Sequence, residues 1–579
     1  MQKRWLVKDL PEDTVIKQFQ EELKIPKIIS QLLLQRGIST FDEAKSFFRP
    51  NLDDLHDPFL MKGMEDAVNR LIQAKESKEK ILVFGDYDVD GTTAVAQMVL
   101  FFRQNGFEID YYIPDRYDEG YGISLKGIDY AVENNCAIFF ALDCGIKAVE
   151  KIAYAREKGL DVIICDHHTP GDVLPDAIIL DQKQADCNYP YKELSGCGIG
   201  FKVAQALTER LKLSKEKLFE LLDLNAISIA ADIVPVTGEN RILAYHGLKQ
   251  INEKPLRKGL EAMLKYAKKE LPLTFTNVVF VIAPRINAAG RIESGKKAVD
   301  LMISENVKDI DQLAAQIEED NRLRREIDQS ITEEILENLA KDEDYQTKRT
   351  TVVYGEDWHK GVIGIVASRL TETYYRPTVV LTKSGDVAAG SVRSISGFNV
   401  YDAIEACSEY LIQFGGHKYA AGLTMHPDQI DAFAKKFEEV VSAQLTDEMC
   451  MQQQTVDAPI KINEIFQPGE SYFSVPKLQR ILSEFEPFGP GNMKPVFMSK
   501  NVFLDPDVSR IVGDNHLKAK FHIPGVSFGL HGIGFNLGYK LKECTQGEAI
   551  DVLYTLEENT WNDKTTLQLN IKDLRLSGE

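Results

Sequence analysis

The feature that most constrains this chain is a regular beat. Short runs rich in Ile, Val and Phe recur at 81–84, 109–113, 137–142, 161–165 and 177–180, and helical stretches at 92–106, 124–135 and 148–159 fill the gaps between them. Buried strand, helix, buried strand, repeated this often, predicts an α/β fold built on a doubly wound parallel sheet. Such a sheet gathers its chemistry outside the carboxyl ends of its strands. The residues that follow each apolar run are therefore the first candidates for function.

Those residues are acidic. KILVFG runs into GDYDVDG, with Asp86, Asp88 and Asp90 at alternate positions. An isolated D-x-D is more often a solvated turn, but three like charges this close call for a cation. Gly91 is expected to let the chain turn into the following helix. The run at 137–142 ends in LDCGI and Asp143. Alone, a strand-end aspartate is more often a helix cap. The run at 161–165 ends in CDHHTPG, which supplies Asp166, His167 and His168. Farther along, Asp232 interrupts the apolar SIAADIVPV, where an ionised carboxylate is costly unless paired or bound to metal. A doubly wound sheet brings these four pieces together. Hard oxygens with imidazole and no thiolate suit Mn²⁺ or Mg²⁺. Two such ions bridged by one aspartate support phosphoester hydrolysis.

The length of 579 residues suggests about four domains. The expected division is a helical segment over 1–50, the acidic α/β domain over 51–300, a connecting segment over 301–345, a second α/β domain over 346–452 and a β module over 453–579. The connection rests on the charged, Gly- and Pro-free stretch 307–342, which predicts one long helix. In the β module, Leu567, Leu569 and Ile571 alternate with Gln568, Asn570 and Lys572, which predicts an antiparallel small barrel. The formal charge of −20 excludes a uniformly basic nucleic-acid coat, so a polyanion must be met by a local basic groove or by metal. The eight cysteines form no C-x-x-C pair. No apolar run approaches the roughly 18 residues of a membrane span, and the N-terminus is acidic where a signal peptide needs an apolar core. A cytoplasmic protein without a membrane partner is expected, and one site per chain favours a monomer.

GDYDVDG, LDCGI, CDHHTPG and AADIVP resemble the four motifs of the DHH phosphoesterase superfamily. IPDRYDEGYG (113–122), RINAAGRI (285–292), GGHKYAAG (415–422) and EPFGPGNMKPVF (486–497) resemble its single-strand-specific 5′→3′ exonuclease branch, and the likeness runs over essentially the whole chain. The resemblance implies a DHH domain, a DHHA1-like substrate-binding domain and an OB-like barrel. It implies that Asp86, Asp88, Asp143, His167 and Asp232 hold two Mn²⁺ or Mg²⁺ ions, with Asp143 as the bridge. His168 is then expected near the scissile phosphate, with Asp90 and Asp166 behind these groups, orienting them. Relatives of the pyrophosphatase type carry a histidine shortly before the first aspartates, and KILVFG has none.

The same resemblance implies a pocket for a 5′-terminal phosphate or nearby backbone from Arg116, Arg285, Asn287, Arg291, Ser391, Arg393, Gly416 and His417. Plain ion pairs between domains are the competing reading for Arg285 and Arg291. In the barrel, Lys518, Lys520, Phe521, Phe528, His531, Phe535 and Tyr539 mix charge and aromatics as single-strand binders do, with barrel core as the plainer role for each aromatic. Single-stranded DNA is the implied partner, with a RecQ-type helicase and a single-strand-binding protein as further ones, in DNA recombination and repair. A DHH phosphoesterase of short oligonucleotides or cyclic dinucleotides is the alternative, against which the residues after about 455 weigh. An inactive scaffold would show eroded acidic motifs, and all four are intact.

Overall fold

The computed structural model describes residues 3–253, 255–342, 344–523, 528–544 and 547–578. Its first sheet has five strands, all parallel, in the order Ile109–Tyr112, Lys80–Gly85, Cys136–Leu142, Asp161–Cys165 and Ile178–Leu180. The strands read as continuous apolar runs because both faces are covered. Ile81 and Val83 pack into the large core beneath Val89–Gln104, while Leu82 and Phe84 pack into a second core on the opposite face. The chain leaves Lys80–Gly85 in one direction, then crosses to its other side for Cys136–Leu142. The gap between those two strands is the switch point at which open α/β sheets bind ligands. Register levels the strand ends: Gly85 pairs with Leu142, Leu142 with Cys165 and Cys165 with Leu180. Asp86, Asp143 and Asp166 therefore leave the sheet side by side.

The predicted connecting helix is a single element, Val307–Ala340, about 50 Å long at 1.5 Å per residue. Ile310, Ala314 and Ile317 near its start belong to the core of the first domain. Ile331, Ile335 and Leu339 near its end pack with the helix Ile363–Tyr374 of the second. That second domain carries a five-stranded sheet ordered Gln413–His417, Ala420–Met425, Val387–Arg393, Thr378–Ser384 and Thr351–Gly355, of which only the last pair is parallel.

The C-terminal region is a seven-stranded sheet closed by an additional pairing of Phe497–Leu504 with His516–His522. It is less uniform than expected, since Gly532 and Ile533 pair with Leu569 and Asn570 in parallel. The Leu567/Leu569/Ile571 face is buried as predicted, up to a register shift opposite Leu553/Tyr554. Of the barrel aromatics, Phe521 is core. Phe528 is half-buried and stacks on Tyr472 with ring centroids 3.5 Å apart, and Phe535 and Tyr539 are exposed. The N-terminal helices are part of this core, with Phe19, Ile29, Leu32, Leu33 and Phe47 packed among the barrel residues. The strand Arg4–Val7 pairs in parallel with Gln453–Val456, at the entry to the barrel region.

Candidate metal centre and phosphate cleft

The helix Val89–Gln104 starts earlier than its periodicity suggested. Asp88 is its N-cap and accepts from the Gly91 N–H at 3.0 Å. Gly91 thus lies inside the first turn, and its role is space: a Cβ there would stand 2.4 Å from the Asp86 carbonyl oxygen. Asp90 is fully engaged in hydrogen bonds. Its Oδ1 accepts from the Cys197 N–H (2.8 Å) and the Ser228 hydroxyl (2.6 Å), and its Oδ2 from the Gly196 N–H (2.6 Å). It therefore ties the acidic loop to the first turn of Gly196–Leu211 and to the helix Leu222–Ala231 that ends at Asp232. Asp166 is engaged likewise. Its Oδ1 accepts from the backbone N–H of His167 and His168 and from His168 Nδ1 at 2.7 Å, and its Oδ2 from the Ile146 N–H. Each thus ties the loop that carries it to a neighbouring element.

Around His167 several polar atoms converge without a partner among the described residues. His167 Nε2 lies 3.2 Å from Asp143 Oδ1, 3.5 Å from Asp232 Oδ2 and 3.7 Å from Asp90 Oδ2. Asp143 Oδ1, Asp86 Oδ2 and both ring nitrogens of His167 are buried without a hydrogen-bond partner among the described residues. Asp143 holds a positive φ of 60°, an uncommon backbone for a non-glycine residue. Burial, reinforced by the charge of Asp88, pushes the Asp86 carboxyl up to about 8. Burial, then Asp90 and Asp88, pushes Asp232 up to about 9, and Asp143 rises for the same reasons. Burial lowers His167, so an imidazolium is not the counter-charge that these carboxylates lack. Ligand atoms of Asp143, His167 and His168, and likewise of Asp90, His167 and Asp232, all lie within 4.8 Å of one another, so the residues present fit a divalent metal.

His168 stands at the edge of this cluster. Burial opposes its protonation, but the Asp166 carboxylate outweighs burial and raises it to about 9. Its Nε2 lies 3.1 Å from the Tyr121 hydroxyl. Tyr121, Lys147 and His417 line both a cavity of about 550 Å³, which Asp166 and His168 also line, and an adjoining cleft of about 760 Å³. That cleft is lined by Arg116, Arg291, Ser391, Arg393, Gly416 and His417, which sequence reasoning had singled out, and by Tyr87, Tyr121, Lys147 and Lys360, which it had not. Tyr87 and Tyr121 sit inside the acidic and DEGYG motifs, and alternation with the aspartates was the available signal for Tyr87. Arg116 lies over the Tyr87 ring at 4.7 Å. Arg393 bonds Ser391 Oγ at 3.1 Å, beside the N-terminus of Ile363–Tyr374, where backbone N–H groups favour an anion. Burial first, then Arg116 and Arg393, brings Arg291 down to about 10, and burial with Arg116 lowers Arg393. Among the described residues none of these three guanidiniums has a carboxylate partner.

The structure does not bring Arg285 there. It is buried in a bidentate pair with Glu318 of the long helix, at 2.6 and 3.1 Å. Asn287, half-buried on the same helix, lines neither cavity.

The fold and this pair of opposed charge clusters define a DHH-type phosphoesterase. Family models agree: residues 80–229 match the DHH family N-terminal domain, 347–443 the DHHA1 domain and 470–573 the RecJ OB domain. The chain is 36% identical over 578 residues to the single-stranded-DNA-specific exonuclease RecJ of Bacillus subtilis, covering 99% of this chain and 71% of that protein. It is 32% identical to the RecJ of Escherichia coli, covering 95% of this chain and 96% of that one. The crystal structure of Thermus thermophilus RecJ in complex with Mn²⁺ superposes with a TM-score of 0.84 at 26% identity, covering all of this chain and 80% of that one. The chain belongs to the RecJ family.

Proposed function

We propose that this protein is a metal-dependent 5′→3′ exonuclease that degrades single-stranded DNA to 5′-mononucleotides. The observation that carries the reading is that Tyr121, Lys147 and His417 line both the cavity at Asp166 and His168 and the guanidinium cleft. RecJ relatives are named as single-stranded-DNA-specific exonucleases, and related structures hold Mn²⁺ or Mg²⁺.

Asp86, Asp88, Asp143, His167 and Asp232 would hold the metal, which supplies Lewis acidity and an activated water for phosphodiester hydrolysis. Arg116, Arg291, Ser391 and Arg393 receive the terminal phosphate, since arginine forks match phosphate oxygens and among the described residues none of these arginines forms a salt bridge. A chain end docked there leaves its adjoining phosphodiester at the metal cluster, which sets the polarity. His168, held by Asp166 and Tyr121, is placed to donate a proton toward the departing 3′ oxygen. The barrel, with Tyr472 and Phe528 stacked on one another and Phe535 and Tyr539 exposed, follows the strand beyond. The divisions at 51–300, 346–452 and 453–579 are the units to which these roles fall.

A cleft for one strand calls for a helicase to unwind duplex and a single-strand-binding protein to keep it open, both acting in the cytoplasm on chromosomal DNA. Among the described residues no helix is long and apolar enough to cross a membrane. The decisive assay offers 5′-labelled single strands, with and without a 5′-phosphate, against duplex and a dinucleotide in Mn²⁺ or Mg²⁺. Release of labelled mononucleotide from the phosphorylated single strand is expected first. Preference for the dinucleotide would transfer the reading to a short-oligonucleotide phosphoesterase.

A further inference from the structure

Asp232 is the least locally supported member of the metal cluster. It caps the end of Leu222–Ala231, and the next residue, Ile233, has a φ of 60° and is 69% exposed. A β-branched residue in the left-handed region is strained and persists only where its surroundings hold it. Ile233 itself, pointing to solvent, anchors nothing. The hold must come from residues 234–237: Tyr191 and Asn240 donate to the Pro235 carbonyl, and a second set of contacts comes from the opposite end of the chain.

The Val236 N–H donates to the Pro490 carbonyl at 2.7 Å. Val236 is fully buried against Gly489, where a Cβ would stand 2.4 Å from Val236 Cγ2, and Gly491 packs on Thr237 in the same way. Two buried side chains keep this connector in shape. Arg241, on the helix that starts just after the loop, directs its guanidinium to the carbonyls of Phe485, Glu486 and Pro487, and to that of Phe47, over whose ring it stacks at 3.9 Å. Asn492 donates to the carbonyls of Phe485 and Pro487 and accepts from Arg36 Nε. A guanidinium spent on carbonyls, without a carboxylate, binds no charged ligand; it fixes one backbone against another.

We infer that the connector 485–492, which leads into the barrel, is a positioning element for the metal ligand Asp232, and that Arg241, Gly489 and Asn492 are positioning residues for metal binding although they lie outside the metal cluster. The inference rests on the reading of Asp232 as a ligand. It gives the barrel a second role, because a strand that pulls on the barrel acts through this connector on the loop behind Asp232.

The test is equilibrium Mn²⁺ binding to the full chain, read from the EPR signal of free Mn²⁺, alongside KM for single-stranded DNA. Gly489→Ala is expected to weaken Mn²⁺ binding about tenfold, the size of effect seen when groups orienting a ligand are disturbed, with KM for DNA within about twofold. Adding Val236→Ala, which removes the struck methyl, is expected to restore part of that loss. Asn492→Ala loosens the same clamp without adding an atom and provides the readout if Gly489→Ala does not fold. Asp232→Asn, measured in parallel, separates the two ideas. If it leaves Mn²⁺ binding intact, the ligand assignment fails and the inference with it. If it weakens binding while Gly489→Ala and Asn492→Ala do not, the inference alone is overturned. Equal changes in metal binding and KM would also overturn it, as the signature of general disruption.

Discussion

The protein holds two clusters of like charge, and they are built in opposite ways. The carboxylates come largely from adjacent strands of one sheet, levelled by register, and burial pushes them toward protonation until a cation arrives. The guanidiniums come from a loop, a helix end and a strand in two different domains, and burial with mutual repulsion lowers Arg291 and Arg393. The first cluster is a property of a sheet. The second exists only once two domains are docked. Each leaves charge unsatisfied, so the fold alone stabilises neither; in the function proposed above the partners are a metal for the first and a phosphate for the second.

The contrast can be broken by separating the two functions. Asp143→Ala has the largest expected effect: kcat falls at least about a thousandfold, about 4 kcal/mol of barrier, while a phosphorylated single strand still binds in metal-free buffer, as followed by fluorescence anisotropy. Normal turnover would end the metal assignment. Asp166→Asn comes next. It removes the anionic partner of His168, and single-turnover rates should drop by about a hundredfold, within the range of general acid–base contributions. An unchanged rate would leave His168 without a role in proton transfer. Arg393→Ala sharpens the other side. KM for a 5′-phosphorylated strand should rise about tenfold, as loss of a charged hydrogen bond implies, with the Mn²⁺ dependence unaltered. An equal rise for a 5′-hydroxyl strand would remove the terminal phosphate from the cleft. The smallest effect is expected of Arg285→Ala. Its partner is Glu318, so KM should hold and the melting temperature should fall by a few degrees, with roughly 2 kcal/mol lost from a partly buried ion pair.

That last pair shows where sequence stops being informative. The strand ends were legible because burial on both faces writes an unbroken apolar run, and whatever follows the run must emerge at the sheet edge. Asp86, Asp143 and His167 follow that rule, whereas Asp232 ends the helix Leu222–Ala231 and was marked only by its place in an apolar run. Arg285 and Arg291 sit in one motif, but six residues apart on a helix they point about 120° from one another. One turns to the long helix and the other to the cleft. Nothing in RINAAGRI says which, because the answer depends on where Val307–Ala340 and the second domain dock. Gly91 was misjudged for a related reason. Its place in the motif marks a need for room beside Asp86, whereas the turn itself is made by the Asp88 cap.

The pairing of Arg4–Val7 with Gln453–Val456 has a consequence for how the molecule is made. A ribosome releases the first strand roughly 450 residues before its partner, an interval of about 20 to 90 s at ordinary rates of synthesis. Through that interval the opening helices lack the barrel residues their apolar side chains pack among. The nascent chain must carry its own beginning as unfinished surface until its last domain is complete.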